Sequence, residues 1–196
     1  MDLNSFLRRE RLLIFYGRPS PLKKNLILHL LQQSDNLVDK IIYFDLKRCI
    51  KPHDLVGIKE PLLSKIYLYW PNENTLLDAL KNIFPIKTKE RFLILLDPLY
   101  IQGGLTEHIA RNNDPIFTFF SMKYLNSRCE RSYIWLFIDT TVRKISEISF
   151  FSILRNEIPY VVYYVNLDFE VKLEIYRTIN VESPVYVFSI NFNTLS

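Results

Sequence analysis

The sequence predicts an α/β domain in which helices cover both faces of a mostly parallel central sheet, with antiparallel strands added at its C-terminal end. Short apolar runs alternate with segments whose apolar residues recur every three or four positions. The first pattern is typical of strands buried on both faces, and the second of amphipathic helices. In the last third of the chain the strand-like runs follow one another without room for a helix, which favours antiparallel pairing.

Residues 12–70 predict three strands and one helix. A wholly apolar strand covers Leu12–Tyr16 and ends at Gly17, which precedes a turn rich in proline. Leucines at three- and four-residue steps then predict a helix over Pro21–Gln33, with the proline in its first turn. The second strand covers Lys40–Asp45, and the third covers Lys65–Trp70.

Residues 74–139 continue the alternation. Helical spacing over Asn74–Phe84 is followed by an apolar strand, Phe92–Leu96, which we expect to end at the turn-prone pair Asp97-Pro98. A second helix is expected over Ile116–Cys129. A further central strand, Tyr133–Ile138, ends at Asp139.

Three segments of the last third are expected to be antiparallel strands at the edge of the sheet: Tyr160–Asn166, Val171–Ile175 and Val185–Asn193. We expect one domain over residues 1–196, with residues 1–10 as an N-terminal extension and residues 159–193 as C-terminal β-structure. A chain of 196 residues can bury a full core without disulfides or metals.

Composition excludes several classes of protein. The net charge is only +4 and 48% of the residues are hydrophobic, but no apolar run approaches the length that crosses a bilayer. The N-terminus lacks the pattern of a signal peptide, so we expect an intracellular protein, cytoplasmic or, in a eukaryote, nuclear. Cys49 and Cys129 are isolated, as are the three histidines, and we therefore expect neither a disulfide nor a metal site.

One segment has the layout of a phosphate-binding loop. A strand, a glycine, a loop, a lysine and a helix follow one another in Gly17-Arg18-Pro19-Ser20-Pro21-Leu22-Lys23-Lys24. Gly17 and Lys23 fit the P-loop pattern, in which backbone amides hold phosphates and the lysine supplies charge. Leu22 replaces the second glycine, Lys24 replaces the hydroxyl residue that binds Mg²⁺, and the prolines lack backbone donors.

Acidic residues follow the other predicted strands. Parallel sheets bind ligands outside the carboxyl ends of their strands, which here are Gly17, Asp45, Asp97 and Asp139. The apolar run before Asp97 has the form of the strand whose aspartate binds Mg²⁺ in P-loop enzymes. These positions predict a site at one edge of the sheet.

The series of motifs resembles the RecA/RadA family of recombinase ATPases. The family's first core strand and phosphate loop are resembled by Leu12–Lys24, and its second strand is resembled by Ile41–Asp45. Its magnesium-binding strand is resembled by Phe92–Asp97. Further resemblance lies in Ile134–Thr140 and in Tyr160–Ile190, which includes Val181-Glu182-Ser183-Pro184. The resemblance covers roughly residues 10–192 and implies a RecA-like P-loop fold.

Departures from the family pattern argue against efficient hydrolysis. The catalytic glutamate that the family has after its second strand corresponds to Lys47, which cannot accept a proton while charged. Together with Leu22 and Lys24, the lysine at position 47 implies a degenerate ATPase core. We therefore favour a protein that is not an enzyme, and we assign no catalytic residue. ATP and Mg²⁺ are implied only weakly; the nucleotide-binding candidates are Gly17, Lys23, Lys24 and Asp97.

The resemblance also implies contact with single-stranded DNA through two loops. The cationic candidates in these regions are Arg111, Arg143, Lys144 and Arg155, the last three near Phe150 and Phe151. Cations and aromatic rings together can bind phosphates and stack on bases.

The resulting hypothesis is a non-catalytic recombinase paralogue that serves as a partner-binding subunit in homologous recombination and DNA repair. The resemblance implies a protein partner: a recombinase, another paralogue, or a small zinc-binding SWIM-type protein. Two alternatives stay open: an active P-loop ATPase of the RecA/KaiC-like group, and a RecA-like interaction module without a DNA role.

Overall fold

The structure is a computed structural model and describes residues 1–45, 48–70, 90–101, 132–140, 158–179 and 182–192. These residues build one eight-stranded sheet. Its strands are β1 (Leu12–Gly17), β2 (Lys40–Asp45), β3 (Ile66–Tyr69), β4 (Phe92–Ile101), β5 (Tyr133–Thr140), β6 (Tyr160–Leu167), β7 (Glu170–Arg177) and β8 (Tyr186–Asn191). The described helices are α1 (Leu3–Arg9), α2 (Leu22–Gln33) and α3 (Glu60–Leu63), with a 3-10 turn at Pro52–Leu55.

The strand order is β3-β2-β4-β5-β1-β6-β7-β8. The first six strands in this order are mutually parallel, whereas β7 is antiparallel to both β6 and β8. The prediction of a mostly parallel α/β sheet with antiparallel C-terminal strands is therefore confirmed. The first strand of the chain lies in the interior of the sheet because β5 and β6 pair on either side of it.

Alternation along the strands separates two buried faces. Leu13 and Phe15 of β1 belong to a core cluster that also contains four buried side chains of α2: Leu26, Ile27, Leu30 and Leu31. Ile14 and Tyr16 point to the opposite face, where they are buried as well. A strand buried on both faces needs a continuous apolar run, which is why the sequence of β1 shows no alternation.

The helix α1 forms within the predicted N-terminal extension. Asp2 caps it, since its carboxylate accepts a hydrogen bond from the backbone N–H of Ser5 at 2.8 Å. Phe6 is fully buried, and its ring meets the ring of Tyr160 edge-on at 5.6 Å and lies 6.2 Å from that of Tyr186. The extension is thus tied to the C-terminal half of the sheet.

The predicted end of β4 is wrong. The strand does not stop before Asp97-Pro98 but continues to Ile101. Leu96 pairs with Leu136 and Leu99 pairs with Ile138, so the pair Asp97-Pro98 opposes a single residue of β5. This β-bulge lets the strand include a proline, whose missing N–H would interrupt a regular ladder.

The orientation of β6 also differs from the expectation. The segment was expected to join the sheet in antiparallel fashion, but it pairs in parallel with β1 and only β7 beyond it is antiparallel. A parallel neighbour requires a crossover from β5, for which residues 141–159 leave ample length.

Some predicted elements lie outside the described residues, namely the helices over Asn74–Phe84 and Ile116–Cys129. No helix in the part of the chain that the structure describes is long and apolar enough to cross a membrane.

Candidate functional site

Four neighbouring strands bring Gly17, Asp45, Asp97 and Asp139 to the side of the sheet that α2 covers; Asp97 lies at the bulge of β4, and the other three lie at or next to the ends of their strands. In the register of the sheet, Gly17 is opposite Asp139 and Asp45 is opposite Asp97. Each lies an even number of residues from the core side chains beneath α2, so all four share that face. The structure thus brings together the four residues that the sequence predicted to form a site.

Lys23 connects the helix to this edge. It lies in the first turn of α2, and its Nζ atom is 2.5 Å from Oδ1 of Asp97 and 2.7 Å from Oδ1 of Asp139. The lysine is only 5% exposed, and both aspartates are buried. A cation at the N-terminus of a helix opposes the helix dipole, so the two carboxylates offset an otherwise unfavourable position.

The protonation states follow from burial and charge. Burial alone would lower the pKa of Lys23, but the carboxylates of Asp97 and Asp139 outweigh it, and the pKa is raised. Burial raises the pKa of Asp97, and the nearby ammonium of Lys23 opposes that rise. Lys23 is therefore a permanent cation at neutral pH, held between two acidic groups.

Two tyrosines complete the network. The hydroxyl of Tyr164 donates to Oδ1 of Asp139 at 2.8 Å, and that of Tyr43 lies 3.5 Å from Oδ2 of Asp97. Burial, followed by the neighbouring aspartate, raises the pKa of each phenol. Both tyrosines are thus neutral donors, which suits buried carboxylates.

Gly17 is required by close packing against β6. A Cβ atom at this position would lie 2.5 Å from the carbonyl oxygen of Tyr164 and 2.6 Å from its ring. The Tyr164 hydroxyl also approaches the Gly17 carbonyl oxygen at 3.4 Å. The glycine of the phosphate-loop pattern therefore serves a contact within the protein.

The loop between β1 and α2 offers few backbone donors. Pro19 and Pro21 have no N–H. The N–H of Leu22 donates to Oγ of Ser20 at 3.1 Å, and that of Lys23 donates to the Ser20 carbonyl at 3.1 Å. Of the amides that would hold a phosphate in a P-loop, those at Pro19 and Pro21 are absent and those of Leu22 and Lys23 are bonded to Ser20.

Lys24 binds a different carboxylate. Its Nζ is 2.7 Å from Oδ1 of Asp54, in the 3-10 turn after β2, while Oδ2 of Asp54 accepts from the backbone N–H of Lys51 at 2.9 Å. The side chain that replaces the Mg²⁺-binding hydroxyl thus fastens the 3-10 turn to the start of α2.

Asp45, Cys49 and Asp97 bring their ligand atoms within 4.8 Å of one another. The carboxylate of Asp45 already accepts from the backbone N–H groups of Cys49 at 2.9 Å and Ile50 at 2.8 Å, and that of Asp97 binds Lys23. A thiol is a poor ligand for Mg²⁺, and the sequence position of the Mg²⁺-binding hydroxyl is occupied by Lys24, whose ammonium binds Asp54. This donor set does not fit the Mg²⁺ that accompanies a P-loop nucleotide.

Among the nucleotide-binding candidates, the structure brings Gly17, Lys23 and Asp97 to one site and directs Lys24 to Asp54. The four DNA-binding candidates lie outside the described residues: Arg111, Arg143, Lys144 and Arg155. Lys47 also lies outside them. Sequence reasoning missed the two tyrosines. Tyr43 lies two residues before Asp45, and that period of two was the available signal.

No protein-family model matches the sequence, and no curated protein matches it. Solved structures do match its fold. A structure titled as the RadB recombinase superposes with a TM-score of 0.60 at 14% identity, over 92% of this chain and 86% of that one. A structure titled as a DnaB-like replicative helicase and its interactions with primase gives a TM-score of 0.55 at 13% identity, over 93% of this chain and 57% of that one.

At 13–14% sequence identity, the structural match shows the fold and nothing finer. Both of these structures have RecA-like ATPase folds, and each superposition covers more than nine-tenths of this chain. The chain therefore has a RecA-like fold.

Proposed function

We propose that this protein is a non-catalytic member of the RecA-like ATPases that works as an accessory, partner-binding subunit in homologous recombination and DNA repair. It acts inside the cell, in the cytoplasm or, in a eukaryote, in the nucleus. Its partner is a recombinase, another recombinase paralogue or a SWIM-type protein.

One observation carries the non-catalytic part: Lys23 is neutralised inside the protein by Asp97 and Asp139. In a P-loop enzyme this lysine contacts the β- and γ-phosphates. Here an incoming phosphate would have to break two buried ion pairs and would leave two carboxylates beside its own negative charge. Removing the cation from such a pair is strongly unfavourable.

The surroundings of Lys23 support the same conclusion. The two prolines and Ser20 remove backbone donors from the loop, and Lys24 is engaged by Asp54. The site thus keeps the layout of a phosphate loop, while carboxylates of the protein itself compensate the charge of its lysine.

The role in recombination is supported by the fold. A recombinase structure aligns with nearly the full length of both chains, and the second similar structure is that of a replicative helicase. Both titles describe proteins of DNA metabolism, and we extend that setting to this chain. Contact with single-stranded DNA through Arg111, Arg143, Lys144 and Arg155 is part of the proposal.

The non-catalytic part is tested by ATP turnover with and without Mg²⁺. We expect the wild type, Lys23→Ala and Lys40→Ala to give the same background rate. Lys40 is a suitable control because it is a lysine at the other end of its strand, paired with Glu90 at the surface. Turnover that requires Mg²⁺, is lost in Lys23→Ala and survives in Lys40→Ala would overturn the proposal.

The accessory role is tested by purification of a tagged copy from its native cells, with nuclease treatment to remove bridging DNA. Mass spectrometry should identify a recombinase, a paralogue or a SWIM-type protein. Recovery of the protein alone would contradict a partner-binding role.

An active ATPase is the second candidate, favoured by the 2.5 Å approach of Lys23 to Asp97, the two residue types that P-loop enzymes bring together. The turnover experiment separates an active ATPase from the non-catalytic subunit proposed above.

A RecA-like interaction module without a DNA role is the third candidate function. It predicts no binding of single strands at any salt concentration, even with the partner present.

A further inference from the structure

Four exposed arginines lie at the amino edge of the sheet, the edge where the parallel strands begin and opposite the Lys23 site. Arg8 and Arg9 are in the last turn of α1, Arg11 directly precedes β1, and Arg177 ends β7. Because β7 is antiparallel to β6, its last residue lies at the edge where β6 starts. We call these four residues the arginine cluster.

Tyr133, the first residue of β5, brings two of the arginines together. Its hydroxyl donates to the backbone carbonyl of Arg8 at 3.1 Å. The N–H of the next residue, Ile134, donates to the backbone carbonyl of Arg11 at 2.6 Å. The end of α1 and the start of β1 are therefore fixed beside the same tyrosine.

Tyr160, the first residue of β6, brings the other two together. The guanidinium carbon of Arg9 lies 5.6 Å from the centre of its ring, within the range of a cation–π contact. Arg177 is the partner of Tyr160 in the register of β6 and β7. The strands β5, β1, β6 and β7 are consecutive in the sheet, so the arginine cluster forms one continuous surface around the two half-buried tyrosines.

The cluster keeps a net positive charge, in contrast to the other end of the same edge. Within it, Arg9 binds Glu10 at 2.6 Å, and Glu182 lies in the turn that follows β7. Four arginines thus accompany two acids. At the starts of β3, β2 and β4, each cation is matched by a carboxylate: Lys65 binds Asp35, Lys40 binds Glu90, and Arg91 binds Asp39.

Stabilisation of α1 explains only part of this arrangement. Cations in the last turn of a helix interact favourably with its dipole, which accounts for Arg8 and Arg9. Arg11 and Arg177 belong to no helix. They extend the positive surface from the end of α1 across the sheet.

We propose that the arginine cluster binds the phosphodiester backbone of a nucleic acid. All four cations are arginines, whose planar guanidinium groups match phosphate oxygens in pairs. From β1 to β7 the cluster covers two strand spacings, about 10 Å, and the arginines of α1 lengthen it. A row of cations on one face suits a polymer that carries a charge on every unit. The tyrosines add aromatic surface, which together with cations binds strands with little sequence preference.

Binding of labelled oligonucleotides tests the proposal on the protein alone. The probes are a 30-nucleotide oligo(dT) and a 30-base-pair duplex, followed by fluorescence anisotropy over a series of salt concentrations. Binding of either probe supports the proposal, and the comparison identifies the form of nucleic acid preferred. Failure of the wild type to bind both would overturn it.

The variant Arg8→Gln/Arg177→Gln should bind at least about tenfold more weakly, since hydrogen bonds to charged groups are lost. On oligo(dT) the slope of log affinity against log salt should fall by about 1.4, because each lost phosphate contact removes about 0.7. Lys40→Gln/Arg91→Gln removes two cations of the same edge that carboxylates already bind, and it should keep the wild-type affinity. Equal losses in both variants would contradict a specific role for the cluster, as would displacement of the oligonucleotide by polyglutamate at equal charge concentration.

This surface is distinct from the DNA contacts proposed above and does not depend on the partner. Arg143 and Lys144 follow β5 in the sequence, whereas the arginine cluster lies where the strands begin. If Arg143→Gln/Lys144→Gln abolishes binding while Arg8→Gln/Arg177→Gln retains it, the earlier proposal stands and the present one is wrong. The reverse result would support the arginine cluster and contradict the loops.

Photo-cross-linking locates the contact without a substitution. An oligo(dT) containing 5-iodouracil should label Tyr133 or Tyr160, identified by mass spectrometry of the digested protein. Tyr67 and Tyr69 are the controls, because they are 44% and 38% exposed and lie on β3, at the far end of the sheet. Labelling of Tyr67 and Tyr69 to the same extent would overturn the assignment.

Discussion

Lys23 and Asp97 lie 74 positions apart in the sequence, yet the ammonium nitrogen of one is 2.5 Å from a carboxylate oxygen of the other in the interior of the protein. With Asp139 they form two ion pairs that share one cation. The arrangement makes the lysine part of the folded core, which distinguishes it from a lysine reserved for a ligand.

Lys23→Met should therefore destabilise the fold. Removing one partner of a buried pair leaves an uncompensated charge and costs about 3–5 kcal/mol. Urea denaturation measures the change, and Lys40→Met, which loses an exposed pair with Glu90, should cost much less because solvent screens that pair. Replacing Asp97 and Asp139 by Asn in the Lys23→Met background should restore part of the loss. An equal effect of the Lys23 and Lys40 variants would contradict a structural role for Lys23.

Tyr164→Phe should lower the free energy of unfolding by about 1.5–3 kcal/mol, the range for hydrogen bonds to charged groups. The lost bond is the 2.8 Å contact of the phenol with Asp139. Tyr163→Phe is the matched control, because Tyr163 points to the opposite face and packs its ring against Tyr16 at 5.0 Å. Thermal and urea unfolding of both variants should separate them, and similar losses would show that the hydroxyl of Tyr164 has no special role.

Gly17→Ala should be destabilising by about 1–3 kcal/mol, as expected when a core is overpacked. The added methyl group would meet backbone and ring atoms of Tyr164 at 2.5–2.6 Å. Gly57→Ala provides the contrast, since a Cβ there has no heavy atom within 4 Å. That variant should be neutral or stabilised by up to about 1 kcal/mol. Tolerance of alanine at both positions would remove the packing argument for Gly17.

The contribution of the Lys24–Asp54 pair should depend on pH. The hydrogen bond from Lys24 lowers the pKa of Asp54 below its ordinary value of 3.8. A carboxyl with a lowered pKa stabilises the folded state above its ordinary pKa, and the effect disappears as the pH falls through the lowered value. The stability gap between the wild type and Asp54→Asn should thus be present at neutral pH and close below pH 3.8.

High salt should also narrow that gap at neutral pH, because the Lys24 side chain is 38% exposed and its charge is screened. Denaturation of both proteins over a pH series, at low and high salt, measures the effect. A gap that widens on acidification would contradict the assignment.

The strands were largely predictable, for a physical reason. Continuous apolar runs such as those of β1 and β2 have one stable outcome in an α/β protein, which is burial on both faces. The end of β4 was not predictable from local rules, because whether Asp97-Pro98 ends a strand or forms a bulge depends on β5 beside it. Helix α1 was missed although Leu3, Phe6 and Leu7 lie at the three- and four-residue steps of an amphipathic helix, because a single such period in a short segment is a weak signal. Its position depends on distant strands, where the ring of Phe6 meets the rings of Tyr160 and Tyr186.

The site was predictable in position but not in chemistry. The predicted strand ends marked Asp97 and Asp139, although β4 in fact continues past Asp97 to Ile101, and the loop pattern marked Lys23. Whether the lysine serves a phosphate or a carboxylate depends on the distance between α2 and the sheet, which sequence spacing does not give. The DNA-binding candidates stay predictions.

The interior position of β1 has a consequence for the order in which the chain folds. Lys23 and Asp139 are separated by 116 residues, and β1 cannot be flanked on either side until β5 and β6 have left the ribosome. Contacts of such long range slow folding. The strand β1 and Lys23 are synthesised early, but their partners in β5 and β6 are synthesised late. The nascent N-terminal half therefore exposes an apolar strand and an unpaired cation until the rest of the chain is made. Synthesis of this protein should therefore depend on protection of that half, and truncation before β5 should leave it prone to aggregation.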